Sequence, residues 1–68
     1  DWDGAAQSLD RATQVMPNFA YAFYNAGVAH QRARRFQEMA ERFRRFLELA
    51  PEAPERKMVQ AALSSLRG

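Results

Sequence analysis

Cysteine is absent from this chain of 68 residues, and histidine occurs once, at His30. Without cysteine the chain forms neither a disulfide nor a zinc site built on thiolates. One histidine does not make a metal site by itself, so we expect no bound metal and no cofactor. A lack of cysteine is compatible with oxidising and reducing compartments alike, and the localisation therefore stays open.

Long apolar runs and catalytic motifs are also missing. No stretch approaches the roughly 18–20 apolar residues that a membrane span requires, and we expect none. The pair Ser64 and Ser65 has no histidine near it in the pattern, the carboxylates fall on exposed helix faces, and no glycine-rich loop follows a strand. Nucleophilic, acid/base and phosphate-binding motifs are thus lacking, and we expect that the chain is not an enzyme.

Apolar residues recur at the spacing of amphipathic helices and predict helices over about 3–15, 19–33 and 36–49. Asp1 is positioned to cap the first, while Pro17 and Pro51 close the first and the third. A fourth helix is predicted from Pro54 towards Arg67, because proline suits a first helical turn and arginine complements a helix end.

The two closing prolines, Pro17 and Pro51, stand 34 residues apart. That period is typical of helix–turn–helix repeats with the pattern W-x2-L-G-x2-Y…A-x3-F…P. The positions that keep this spacing are Phe23, Ala26, Gly27, His30, Phe43 and Pro51. The chain therefore resembles the tetratricopeptide repeat (TPR) family. It departs from the pattern where Phe23 replaces tryptophan, Ala26 leucine and His30 tyrosine, and where Met39 replaces the small alanine.

The resemblance implies an all-α fold of about four helices, arranged as antiparallel helix–turn–helix repeats of a superhelix. Residues 1–17 would be the second helix of a truncated repeat and residues 18–51 one complete repeat. Residues 52–68 depart from the pattern, because Lys57, Gln60 and Ala61 stand where an aromatic residue and a glycine pair are expected. We interpret them as a capping helix with a polar outer face, which places Gly68 near the end of a repeat array.

A shared core is predicted for six residues of the second and third helices: Phe23, Gly27, Phe36, Ala40, Phe43 and Phe46. Glycine costs roughly 1 kcal/mol against alanine inside a helix, so Gly27 is expected to permit a close helix approach. His30 occupies the buried tyrosine position of the family, and we expect a core histidine with satisfied hydrogen bonds rather than a ligand or a base.

The first helix of each TPR pair lines a concave groove, so the resemblance implies a binding face on the second helix here. Its candidate peptide-binding residues are Tyr21, Tyr24, Asn25, Val28, Gln31 and Arg32. Asn25 falls where many family members bond the backbone of an extended peptide. The expected function is therefore a protein-interaction scaffold that binds a partner peptide or helix. Alternatively, the tyrosines pack only on a neighbouring repeat.

Six arginines cluster between Arg32 and Arg45, although the net charge is only +2. Glu38–Arg42 and Glu41–Arg45 have the i, i+4 spacing that supports a helix. A solvated convex face is the favoured interpretation, with Arg34 and Arg35 the least neutralised arginines. Binding of nucleic acid through the Arg32–Arg45 cluster, or of an acidic partner, is the weaker alternative.

The first helix has no partner helix before it, so we expect an open apolar strip around Trp2 and Leu9. Such strips mark contact sites on small proteins. Either self-association into a homo-oligomer covers this strip, or another part of a larger protein does. A structural role in an assembly is thus the second function class.

Overall fold

The computed structural model describes residues 1–66, which form four α-helices and, within that range, no strand. They are α1 (Trp2–Val15), α2 (Ala20–Arg32), α3 (Phe36–Leu49) and α4 (Arg56–Ser65). The prediction of an all-α fold with about four helices is confirmed. Helices α2 and α4 are shorter than predicted. The interpretations of Arg67 and Gly68 fall outside the described residues.

Local chemistry sets the ends of α1 and α3. The Asp3 amide donates to Asp1 Oδ1 over 3.1 Å, which satisfies one of the free N–H groups at the start of α1. Pro17 follows the end of α1 by two residues, and Pro51 follows the end of α3 by the same interval. Both predicted closures are confirmed.

The turn between α2 and α3 places Arg34 in the left-handed region, with φ of 63°. The Arg35 amide donates to the His30 carbonyl over 2.8 Å, and the Arg34 amide donates to the Gln31 carbonyl over 3.1 Å. These two bonds define a Schellman motif, which ends a helix and reverses the chain. The motif directs α3 back along α2.

Helix α2 lies between α1 and α3 and packs against both. Arg35 Nε donates to Asp3 Oδ1 over 3.0 Å, and Arg42 Nε donates to Asp10 Oδ1 over 2.9 Å. Each arginine lies 32 residues beyond its aspartate, so α1 and α3 run parallel to each other. Tyr21 pairs with Phe46 and Tyr24 with Phe43, so α2 runs antiparallel to α3 and hence to α1.

The core lies mainly between α2, α3 and α4, where Met39, Phe43, Phe46 and Val59 are at most 1% exposed. A Cβ atom on Gly27 would overlap the ring of Phe43, which confirms the predicted close approach of two helices. Ala40 is buried as predicted.

Phe36 and Phe23 differ from the predicted core positions. Phe36 is 40% exposed, so its assignment to the core is wrong. It is the first residue of α3, and because helical side chains tilt towards the N-terminus, its ring lies beside the turn, near Arg34. Phe23 packs against the core cluster but is only half-buried.

None of the helices within residues 1–66 combines the length and apolarity needed to cross a membrane.

Candidate functional site

The two candidate tyrosines of α2 are anchored from behind by other helices. The Tyr21 hydroxyl donates to Glu55 Oε1 over 2.7 Å, at the start of α4. The Tyr21 and Tyr24 rings meet edge to face with centroids 5.9 Å apart, and the Tyr24 ring lies 5.2 Å from that of Phe46. Such aromatic pairs add to the stability that apolar burial gives. Both tyrosines are half-buried and held in fixed positions.

The hydrogen bond to Glu55 also affects the Tyr21 hydroxyl chemically. It raises the pKa of Tyr21 above the usual range, because the neighbouring carboxylate accepts a bond from the neutral phenol and opposes its ionisation. The phenol therefore stays protonated at neutral pH and donates to the carboxylate. Its hydroxyl is a positioning contact between α2 and α4.

The other four candidate residues differ in their exposure. Asn25 is exposed, while Val28 and Gln31 are half-buried. Arg32 is exposed and its guanidinium lies 5.1 Å from the centre of the Trp2 ring, a cation–π contact with α1. Helical spacing puts all six candidates along one side of α2, but Arg32 turns towards α1.

A polar cluster of Asp10, His30 and Arg42 links α1, α2 and α3. Asp10 accepts from His30 Nε2 through Oδ2 and from Arg42 Nε through Oδ1, each over 2.9 Å. Because an ionised carboxylate only accepts, Nε2 is the donor in this hydrogen bond and carries a proton. Nδ1 is buried and has no partner among the described residues. The predicted burial of His30 is confirmed, but only one of its ring nitrogens is satisfied.

The charge state of Asp10 follows from two opposing effects. Partial burial would raise its pKa, but hydrogen bonds from Arg42 and His30 outweigh it and hold the pKa of Asp10 below the usual range. The same contact with Asp10 raises the pKa of Arg42. Asp10 therefore remains ionised at neutral pH. In the sequence only its place on the edge of the apolar stripe of α1 hinted at this role.

The arginines of the Arg32–Arg45 cluster are largely engaged within the chain. Neither of the predicted helix pairs, Glu38–Arg42 and Glu41–Arg45, forms within residues 1–66. Arg42 instead binds Asp10 and the adjacent Glu41, because the longer-range contact with α1 competes with the local one. Arg45 binds Glu48 and lies 5.9 Å from the centre of the Phe23 ring.

Arg35 pairs with Asp3, so the prediction that it is among the least neutralised arginines is wrong. Arg34 makes no ion pair within residues 1–66, and its guanidinium lies 6.0 Å from the centre of the Phe36 ring. Arg44 is exposed and makes no ion pair in the same range.

The described residues also contain an open groove of about 660 Å³ between α3 and α4. It is lined by Arg44, Gln60, Leu63, Ser64 and Leu66, none of which belongs to the candidate face of α2. No three metal-ligating side chains within residues 1–66 lie close enough to hold a metal ion. The face of α2 and this groove are therefore separate surfaces.

Comparison with protein-family models, with curated proteins and with solved structures gave no match to this chain.

Proposed function

We propose that the chain is a protein-interaction module of the TPR type, which binds a partner peptide or helix on its concave face, along the side of α2 that carries Tyr24, Asn25 and Val28. The observation that carries this proposal is the setting of Asn25. This exposed amide lies on the same side of α2 as two half-buried tyrosines, which packing holds in place. A rigid aromatic surface with a free amide loses little conformational entropy when a segment binds.

The helix arrangement supports the repeat interpretation. Tyr21 contacts Glu55, which lies 34 residues further along the chain. The two residues hold equivalent places in successive repeats of that period. A contact between equivalent places is what stacking of neighbouring units produces.

The arginine cluster gives less support to the alternative of nucleic-acid binding. Affinity for nucleic acid comes mainly from cations that are free to contact phosphates. Arg35, Arg42 and Arg45 already pair with carboxylates of this chain. An enzymatic function is not proposed.

The test uses peptides selected with the 68-residue chain from a random displayed library. Replacing Asn25 by alanine should weaken the selected peptides by about 1–3 kcal/mol, because a backbone group of the peptide loses its partner. The melting temperature should stay nearly unchanged, since the Asn25 side chain is exposed. Isothermal titration calorimetry and thermal unfolding measure the two quantities.

Arg44→Ala is the matched control, because Arg44 is exposed but lines the groove between α3 and α4. This change should leave the affinity intact. Equal effects of Asn25→Ala and Arg44→Ala would contradict the assignment to α2. Tight binding of mixed-sequence RNA, lost steeply on adding salt, would favour the arginine cluster instead.

A further inference from the structure

Helix α1 corresponds to α3 at a distance of 34 residues. Adding 34 to the bounds of α1, Trp2–Val15, gives the bounds of α3, Phe36–Leu49, at both ends. Each helix begins with an aromatic residue and is followed two residues after its end by a proline. The surroundings of α3 therefore show what a helix packed on α1 in the same way would contact.

The corresponding faces of the two helices are covered to different extents. On α3, Met39, Phe43 and Phe46 are at most 1% exposed, and α2 packs on this face through residues that include Phe23 and Gly27. The equivalent residues of α1 are Ala5, Leu9 and Ala12, each only half-buried. At the two ends of this line, Trp2 is 47% exposed and Met16 44%. We call these five residues the α1 strip.

Arg11 indicates the chemistry of a helix that would cover the α1 strip. Its equivalent on α3 is Arg45, whose guanidinium lies over the ring of Phe23 on α2. Arg11 itself is exposed at the margin of the α1 strip. A helix that packs on α1 as α2 packs on α3 would place the residue equivalent to Phe23 beneath Arg11. An aromatic side chain there gains a cation–π contact.

A second copy of this chain does not supply that residue by stacking end to end. In such a stack α4 would cover the α1 strip, and the residue equivalent to Phe23 is Lys57. The positively charged Lys57 would then face the positively charged Arg11, and their repulsion disfavours the contact. The polar Gln60 and Ser64 of α4 add no apolar area to it.

Side-chain volume narrows the partner further. The α1 strip presents Ala5, Leu9 and Ala12 where α3 presents Met39, Phe43 and Phe46. On α2, Gly27 accommodates the large ring of Phe43. Because the residues of the α1 strip are smaller than those of α3, a partner helix at the same distance needs bulkier side chains to fill the contact. Well-packed contacts alternate large and small residues.

From these observations we infer that the α1 strip is a docking site for an amphipathic helix of another polypeptide. This helix runs antiparallel to α1, carries an aromatic side chain beneath Arg11 and presents a bulky aliphatic residue to Leu9. The inference goes beyond the proposed function, because it concerns a different helix and does not need the α2 face to bind anything.

The test uses fluorescein-labelled peptides of residues 18–34 as probes and the full 68-residue chain. A peptide with Gly27→Leu should bind at least fivefold more tightly than one with Gly27→Ala, as measured by fluorescence anisotropy. Alanine is the better helix former, so helix propensity does not explain such a difference. The result follows instead from apolar surface that leucine buries against Leu9.

Changes in the protein then locate the bound peptide. Arg11→Gln should weaken binding of the Gly27→Leu peptide about two- to fivefold, and should have no effect once Phe23 of the peptide is alanine. Arg11 is exposed, so this variant keeps its fold. Ala12→Glu should weaken binding more than tenfold by placing an unpaired carboxylate in the contact. Gln7→Glu, an exposed change on another side of α1, is its control.

Asn25→Ala in the protein separates the two proposals, because it should not alter binding of this peptide. No binding of the Gly27→Leu peptide, or equal binding to the Ala12→Glu and Gln7→Glu variants, would overturn the inference. A concentration-dependent dimer in analytical ultracentrifugation that the peptide does not dissociate would also overturn it, since a second copy would then occupy the strip.

Discussion

At the scale of single residues, the contact of Gly27 with Phe43 determines how closely α2 approaches α3. Two effects oppose each other at Gly27. Replacing glycine by alanine inside a helix gains about 0.8–1.0 kcal/mol in intrinsic helix propensity. The added Cβ would overlap the Phe43 ring, which is fully buried. Overpacking of this kind typically costs about 1–3 kcal/mol.

We therefore expect Gly27→Ala to lower the free energy of unfolding by up to about 2 kcal/mol, measured by urea titration. Phe43→Ala alone should cost about 3–5 kcal/mol. In the Phe43→Ala background the overlap is gone, and Gly27→Ala should become neutral or stabilising. If Gly27→Ala destabilises the two backgrounds equally, the close approach to Phe43 is not the reason for glycine.

At the scale of the elements, the turn between α2 and α3 contains an unfavourable backbone conformation. Arg34 occupies the left-handed region, where glycine is the usual residue at the end of a helix. A residue with a Cβ pays about 1–2 kcal/mol there. Glycine avoids this cost but loses more entropy on folding, which offsets part of the gain.

Arg34→Gly should therefore raise the free energy of unfolding by about 0.5–1 kcal/mol and raise the melting temperature. The exposed contact of Arg34 with the Phe36 ring is too weak to reverse the sign. Arg35→Gly is the matched control. Its φ is −101°, so glycine relieves nothing there and removes the pair with Asp3. A loss of stability in Arg34→Gly would show that the turn is not strained.

At the scale of the whole molecule, Asp10 links three helices. It accepts hydrogen bonds from His30 on α2 and from Arg42 on α3. The side chains of Asp10 and Arg42 are 26% and 24% exposed, so solvent screens this pair less than it screens a surface pair. The pair of Asp3 and Arg35 has side-chain exposures of 58% and 49% and should contribute much less.

The pKa of Asp10 is lower in the folded state than in the unfolded state. The ionised Asp10 carboxylate therefore stabilises the fold fully at pH values above the unfolded-state pKa of about 3.9. That contribution disappears as the pH falls through the lower folded-state pKa. Asp10→Asn should cost about 1–3 kcal/mol at pH 7 and flatten the dependence of unfolding free energy on pH below about pH 4. Asp3→Asn should cost under about 1 kcal/mol. A pH profile unchanged by Asp10→Asn would contradict the role assigned to Asp10.

Features that depend on local geometry could be predicted from the amino-acid sequence. The spacing of apolar residues predicted α3 at its observed bounds, Asp1 was expected to cap α1, and Pro17 and Pro51 were expected to follow helix ends. Each of these signals acts within one turn of the chain, so no knowledge of the packing is needed to interpret it. The close approach at Gly27 was also predictable, because an unfavourable residue inside a helix requires a compensating contact.

The contacts that polar and aromatic side chains make between helices depend on how the helices pack and could not be predicted from residue spacing. Arg42 bonds to Asp10 instead of forming the predicted local pair with Glu38, since an aspartate on another helix competes for the same guanidinium. Phe36 is exposed although it fits the apolar stripe, because it begins α3 and its ring lies beside Arg34 in the turn, whereas Met39, also in the first turn of α3, is buried. The half-burial of Tyr21 and Tyr24 likewise depends on Glu55 and Phe46, whose positions follow from helix packing and not from residue spacing.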